Sequence, residues 1–425
     1  MTSPALTIDE LTARRDDARR DYDALVRRGL SLDLTRGKPS ARQLDLSEAL
    51  LDLPGGHTAA DGTDCRNYGG LQGLAELREI FSGPLQVPAA QLVAADNSSL
   101  SLMHDVIVHA LLGTLPGAGR RWADEPRIAF LCPVPGYDRH FALCERFGIE
   151  LIPVPMDAEG PDMDVVERLV LDDPQVKGIW CVPKYSNPGG VSYGDETVRR
   201  LAAMPAAAPD FRIFWDNAYA VHHLTDTPAE IADVLALCAG NGNPDRVFVF
   251  GSTSKITFAG SGVSFFGSSP ANVAWLLGHT AKRTIGPDKI NHLRHVEFLR
   301  DEDGLAEHMR RHRELLRPKF DAVETILTKE LGGSGLATWS SPAGGYFVSL
   351  DVLEGCAREV VKRAGEAGIA LTPAGATHPY ATDPRDSTIR IAPTYPELDE
   401  LELAISGLAT CVRLVATEKL LESAR

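Results

Sequence analysis

Short apolar runs recur through the middle of the chain, at residues 92–95, 127–132, 151–154, 176–182, 212–215, 246–251 and 262–267. Most are rich in β-branched or aromatic side chains and are apolar on successive positions instead of alternating, as strands buried on both faces are. Between most of them the period changes to that of a helix with one apolar face, over 99–112, 138–147, 164–171 and 195–203. Strands that alternate with helices predict an α/β fold whose mostly parallel, seven-stranded sheet lies between helices. After about residue 300 the pattern changes to a long charged helix over 305–331, a strand over 343–350 entered through Gly344 and Gly345, and a closing helix over 396–418. The first 30 residues alternate acids and bases at helical spacing and read as a solvated amphipathic helix. Two domains are expected: a large one over 51–300, and a smaller α+β one made from 1–50 together with 301–425. A cleft between such units is where small-molecule sites form.

Composition narrows the function. The chain has 425 residues, 44% of them hydrophobic and 24% charged, enough to bury large cores and too apolar for a disordered chain. Lys and Arg number 43 against 58 Asp and Glu, a net charge of −15, which argues against nucleic acid or an anionic membrane as the main partner. Seven cysteines stand apart without metal-ligand or redox spacing, so neither a disulfide framework nor a thiolate metal site is expected. No uncharged apolar run approaches the roughly 18 residues of a membrane span, and the N-terminus has no secretory core. These features predict a soluble cytoplasmic protein that needs no metal.

Several motifs stand at predicted strand ends. The run 246–251 leads into Gly251-Ser252-Thr253-Ser254-Lys255, placing one amine among hydroxyl groups and main-chain N–H groups. An amine there forms Schiff bases with carbonyls and its neighbours hold phosphate, although alone it reads as a solvated loop lysine. The Walker spacing is absent. Asp216-Asn217-Ala218-Tyr219 follows the run 212–215, and Asp216 taken alone serves equally as a helix cap. Ser186-Asn187-Pro188-Gly189-Gly190 follows 176–182 and is turn chemistry in any case.

Taken together and in this order, with Arg390 in Thr388-Ile389-Arg390-Ile391, these motifs resemble the fold type I aminotransferases that depend on pyridoxal 5'-phosphate. The likeness runs from about Leu34 to beyond Arg390. The phrases DLTRGKPS, RNYGGLQG, PGYDRH and GSTSKIT are similar to the actinobacterial aspartate aminotransferase branch. The resemblance implies that Lys255 carries the cofactor as a Schiff base and shuttles the Cα proton, and that Asp216 pairs with the ring nitrogen so that the ring accepts electrons. It implies that Asn187 and Tyr219 donate to the ring's phenolate oxygen and that Tyr137 stacks on the ring. Ser98 and Ser99 at a helix N-terminus, with Ser252 and Ser254, would hold the phosphate. Tyr68 would reach the phosphate of a neighbouring subunit, which makes a homodimer with a shared active site the expected assembly. Arg390 would clamp the substrate α-carboxylate, with Gly37 closing over it and Asn187 beside it.

The pattern breaks at one place. Relatives carry a phosphate-binding arginine several residues after the lysine, where this chain has Gly260-Ser261-Gly262-Val263. Neutral donors, or Lys282 or Arg283, would have to serve instead. A dicarboxylic substrate also needs a second cation, and Arg36, Arg139 and Arg283 stand unranked. The expected reaction is transfer of the amino group of L-aspartate to 2-oxoglutarate by a ping-pong mechanism. Other donors (kynurenine, aromatic residues, valine or alanine) and β-lyase chemistry share the machinery. A cofactor-sensing regulator is a remote alternative, because the segment before Leu34 has no room for a basic winged helix.

Overall fold

The computed structural model describes residues 7–424. Its central sheet has the spatial order Leu92–Ala95, Ser264–Gly267, Val247–Ser252, Arg212–Asp216, Val176–Cys181, Ala129–Val134, Glu150–Asp157 and Gly160–Pro161. The five strands from Val247–Ser252 across to Glu150–Asp157 are parallel. Ser264–Gly267 runs antiparallel to both of its neighbours. The expected seven strands are all present; the eighth is a two-residue edge piece, Gly160–Pro161, too short to leave a pattern in the sequence.

Successive residues of the inner strands enter different cores, which is why these strands read as continuous apolar runs. Ile179, Ile213, Val247 and Val249 pack with the helices Ala75–Leu85, Met163–Asp172 and Asp195–Ala203 on one side. Trp180, Phe214, Phe248 and Phe250 pack with Ser99–Leu112 on the other. All parallel strands then end on the same edge, the usual place for a ligand in an open α/β sheet.

A third apolar cluster joins the two ends of the chain. Tyr22, Leu25 and Leu34 pack with Leu316, Val323 and Leu327 of the helix Glu302–Leu331 and with Ile405, Leu408 and Val412 of the helix Leu398–Ser423. The N-terminal helix Ile8–Arg27, closed by a Thr7/Glu10 capping box, lies on that last helix. Leu32–Asp33 pairs in parallel with Ile369–Ala370. Beside them stands an antiparallel sheet of Ala337–Trp339, Val348–Val352 and Thr388–Ile391. The long helix serves both halves, because Leu305 and Met309 belong to the first core and Leu316 onward to the cluster of the chain ends.

The strand expected over 343–350 lies at Val348–Val352 instead. Gly344 crosses the Tyr185 ring and Gly345 the Tyr185 main chain, and a Cβ on Gly344 would sit 2.5 Å from the His222 carbonyl. The backbone there bonds to His222 and not to a sheet neighbour: Gly345 donates to the His222 carbonyl at 2.9 Å.

Candidate active site

A cavity of about 550 Å³ opens at the carboxyl edge of the central sheet, walled by residues of both halves of the fold. Asp216, the last residue of its strand, lies on the floor and is buried. Its Oδ2 meets His140 Nε2 at 3.0 Å, while Oδ1 has no hydrogen-bond partner among the described residues. A buried carboxylate oxygen without a partner is costly, so the floor is built to receive a donor. His140 is held in turn by stacking on Trp180, with ring centroids 4.2 Å apart, and by an edge contact with Tyr137 at 4.9 Å.

Lys255 enters the same cavity three residues past the strand Val247–Ser252. Its Nζ lies 5.2 Å from the centre of the Tyr219 ring and makes no hydrogen bond or ion pair with the described residues. Burial lowers the amine's pKa, and the Asp216 charge offsets part of that fall. A lysine held this way loses its proton more readily than a surface one, as Schiff-base chemistry requires. Burial also raises the phenols lining the cavity: Tyr137 is pushed up to about 12 and Tyr219 well above its usual value, so both stay protonated and able to donate.

The opposite wall carries Arg390, in the strand Thr388–Ile391, whose guanidinium is buried. It donates to Asp138 Oδ1 at 2.9 Å, Asn187 Oδ1 at 3.3 Å and Thr372 Oγ1 at 3.3 Å, and lies 5.0 Å from the centre of the Phe347 ring. Its Nε has no hydrogen-bond partner among the described residues. Because the Asn187 oxygen accepts from Arg390, the amide's N–H₂ end remains to donate elsewhere. Gly37 lines the cavity against Phe347, and an added Cβ there would collide with that ring.

The remaining residues singled out from the sequence divide. Ser99 lines the cavity. Ser98 is the N-cap of the helix Ser99–Leu112, with its hydroxyl on the Ser101 N–H, and Ser252 donates to Ser254 at 3.1 Å. Tyr68 stands outside the cavity and is 80% exposed. Arg36 and Arg139 line the cavity, are exposed, and make no ion pair among the described residues. Arg283 does not: it is bound to Asp96 at 2.7 Å and Asp105 at 3.0 Å, on a neighbouring hollow shared with Gly260, Ser261 and Gly262. Lys282 is exposed and lines neither space. Sequence reasoning missed His140, Trp180, Asp138, Thr372 and Phe347. Only the position of His140, one helical turn after Tyr137, was a usable signal.

The profile of the aspartate amino-transferase family matches residues 6–424. The chain belongs to that family. An aspartate aminotransferase of Corynebacterium glutamicum is 51% identical over 405 residues, covering 95% of this chain and 94% of that protein. The crystal structure of an aspartate transaminase from the same organism superposes with a TM-score of 0.95 at 48% identity, over 98% of this chain and all of the other. The fold alone extends to an α-aminoadipate aminotransferase of Thermus thermophilus, solved with a phosphopyridoxyl–leucine adduct, at 20% identity and a TM-score of 0.72. The chain is accordingly an aminotransferase with the fold type I architecture. No helix among the described residues is long and apolar enough to cross a membrane.

Proposed function

We propose that this aminotransferase binds pyridoxal 5'-phosphate and moves the amino group of L-aspartate to 2-oxoglutarate, giving oxaloacetate and L-glutamate. The observation that carries the reading is the meeting, in one cavity, of the Lys255 amine, a buried carboxylate and a buried arginine, the last two each with one polar atom that has no partner among the described residues.

When bound, the cofactor supplies an electron sink for the carbanion left at Cα. The protein's part follows from the side chains. Asp216 Oδ1 would accept a hydrogen bond from the protonated ring nitrogen and so keep the proton on the ring, while His140 fixes the carboxylate's angle. Asn187 and Tyr219 would donate to the ring's phenolate oxygen, and Tyr137 would cover the ring's face. Lys255 would hold the cofactor and, as a free amine, would carry the Cα proton across to the cofactor's C4′. Arg390 clamps the α-carboxylate, with Gly37 leaving room above Phe347. Ser98, Ser99, Ser252 and Ser254 receive the phosphate at the start of the helix Ser99–Leu112.

Arg36 and Arg139 are the residues we assign to the distal carboxylate, since both line the cavity unpaired while Arg283 is held by two acids. We place the enzyme in the cytoplasm as a homodimer. The exposed ring of Tyr68 reaches the partner's phosphate, and two domains, 51–300 and 1–50 with 301–425, enclose each site.

The test compares wild type with Lys255→Ala, using aspartate, glutamate, alanine, valine and kynurenine as donors. Wild type is expected to prefer the dicarboxylic donors and Lys255→Ala to be inactive. Turnover by the variant would overturn the assignment of Lys255, and a preference for kynurenine or valine would overturn the substrate.

A further inference from the structure

Behind the cavity floor lies a set of buried side chains that takes no part in the chemistry above. The segment after the strand Val247–Ser252 makes one helical turn, with Ile256 and Thr257 both donating to the Thr253 carbonyl at 2.9 Å, and does not continue as a helix. The carbonyls of Lys255 and Ile256 therefore lack helical partners and must find donors elsewhere.

Those donors come from three distant segments. Tyr346 Oη and His222 Nε2 each lie 3.3 Å from the Lys255 carbonyl. His308 Nε2, on the helix Glu302–Leu331, lies 2.7 Å from the Ile256 carbonyl. His312, one turn further along that helix, brings its Nε2 to 3.1 Å from His308 Nε2. Gln43 ties the set together, since its Nε2 donates to Tyr346 Oη at 2.9 Å and meets His312 Nδ1 at 3.1 Å. Every one of these side chains is buried.

We propose that His308 and His312, with Gln43 and Tyr346, are positioning residues that clamp the main chain of Lys255 and Ile256 and so aim the reactive amine. The inference rests on Lys255 being the cofactor lysine. A proton shuttle must be placed to within about half an ångström, and a lysine on a free loop would not be. A carbonyl only accepts, so His222 and His308 each turn an N–H toward it, as neutral imidazoles can. Burial lowers the pKa of His222, His308 and His312 and keeps them so. Neutral donors fix the backbone without adding positive charge beside an amine that must lose its own proton.

The test uses His308→Leu, His308→Gln and Tyr346→Phe, each loaded with pyridoxal phosphate, in parallel with Lys255→Ala. Three readouts are taken: the pH midpoint of the visible absorbance band of the lysine-bound cofactor, the rate at which apoprotein takes up pyridoxal phosphate, and the separate kcat and KM for aspartate. His308→Leu and Tyr346→Phe are expected to shift the midpoint by about half a unit or more. They should also slow cofactor uptake and lower kcat about tenfold, with KM changed less than about twofold. His308→Gln, which keeps a donor, should recover most of the loss. Tyr346→Phe removes one oxygen and decides the matter if His308→Leu fails to fold. An unchanged midpoint and kcat in folded Tyr346→Phe, or the same loss in His308→Gln as in His308→Leu, overturns the proposal. Activity retained by Lys255→Ala overturns the underlying assignment of the lysine instead.

Discussion

Replacing Asp216 by asparagine keeps the shape of the side chain and removes its charge. Asp216 is buried, one oxygen is held by His140 at 3.0 Å and the other has no partner among the described residues, so that oxygen is free to meet a donor. An opposite charge at contact distance shifts a partner's pKa by about 1 to 3 units, and each unit is worth about 1.4 kcal/mol. Losing it should therefore cost about 1.4 to 4 kcal/mol in the step that removes the Cα proton, or about 10- to 1,000-fold in kcat. The assay follows oxaloacetate through a coupled dehydrogenase, with cofactor affinity measured by quenching of tryptophan fluorescence and thermal unfolding as the control. Asp216→Asn with kcat within about twofold of wild type, at an unchanged Tm, would refute the role of this carboxylate.

Three further outcomes are expected. Arg139→Ala or Arg36→Ala should raise KM for aspartate and 2-oxoglutarate about 10- to 100-fold while leaving the slow reaction with alanine unaltered, because only the dicarboxylic substrates need a second cation; equal losses with alanine would remove both from that role. Burial holds His292 and His312 down to about 3, so the unfolded chain takes up their protons first: stability is complete above about pH 6.5 and falls as the pH drops toward 3. At pH 5.5 the two together should cost about 3 kcal/mol, read as a falling Tm, and a flat Tm from pH 7 to about 5 would contradict it. Tyr68→Phe should weaken cofactor binding several-fold without altering the unfolding temperature, and a mass by sedimentation equal to a single chain would contradict the shared site.

Much of the fold was legible because burial leaves a local record. Val176–Cys181 and Arg212–Asp216 are buried along their whole lengths, and their apolar runs say so directly. The helices Ser99–Leu112 and Asp195–Ala203 begin and end where their pattern does. The helix Lys289–Leu299 gave no such signal, since the positions it buries mix Lys289, Asn291, His292 and His295 with Leu293 and Leu299. The site divided along the same line. Lys255, Asp216, Asn187 and Arg390 stand at strand ends or in a strand with recognisable neighbours. The contacts that tune them span the chain: His140 reaches Asp216 across 76 residues and Asp138 reaches Arg390 across 252. Such pairs exist only after folding, and neither partner's neighbours in the sequence announce them.

A covalent hand-over at Lys255 is tested most directly by a single half-reaction. Protein loaded with pyridoxal phosphate is mixed with aspartate alone, and its visible absorbance and the oxaloacetate released are measured together. The account predicts that the band bleaches, that oxaloacetate appears in one equivalent per loaded chain and no more, and that 2-oxoglutarate then restores the band with release of glutamate. An unchanged band, or oxaloacetate formed continuously without an acceptor, would contradict it.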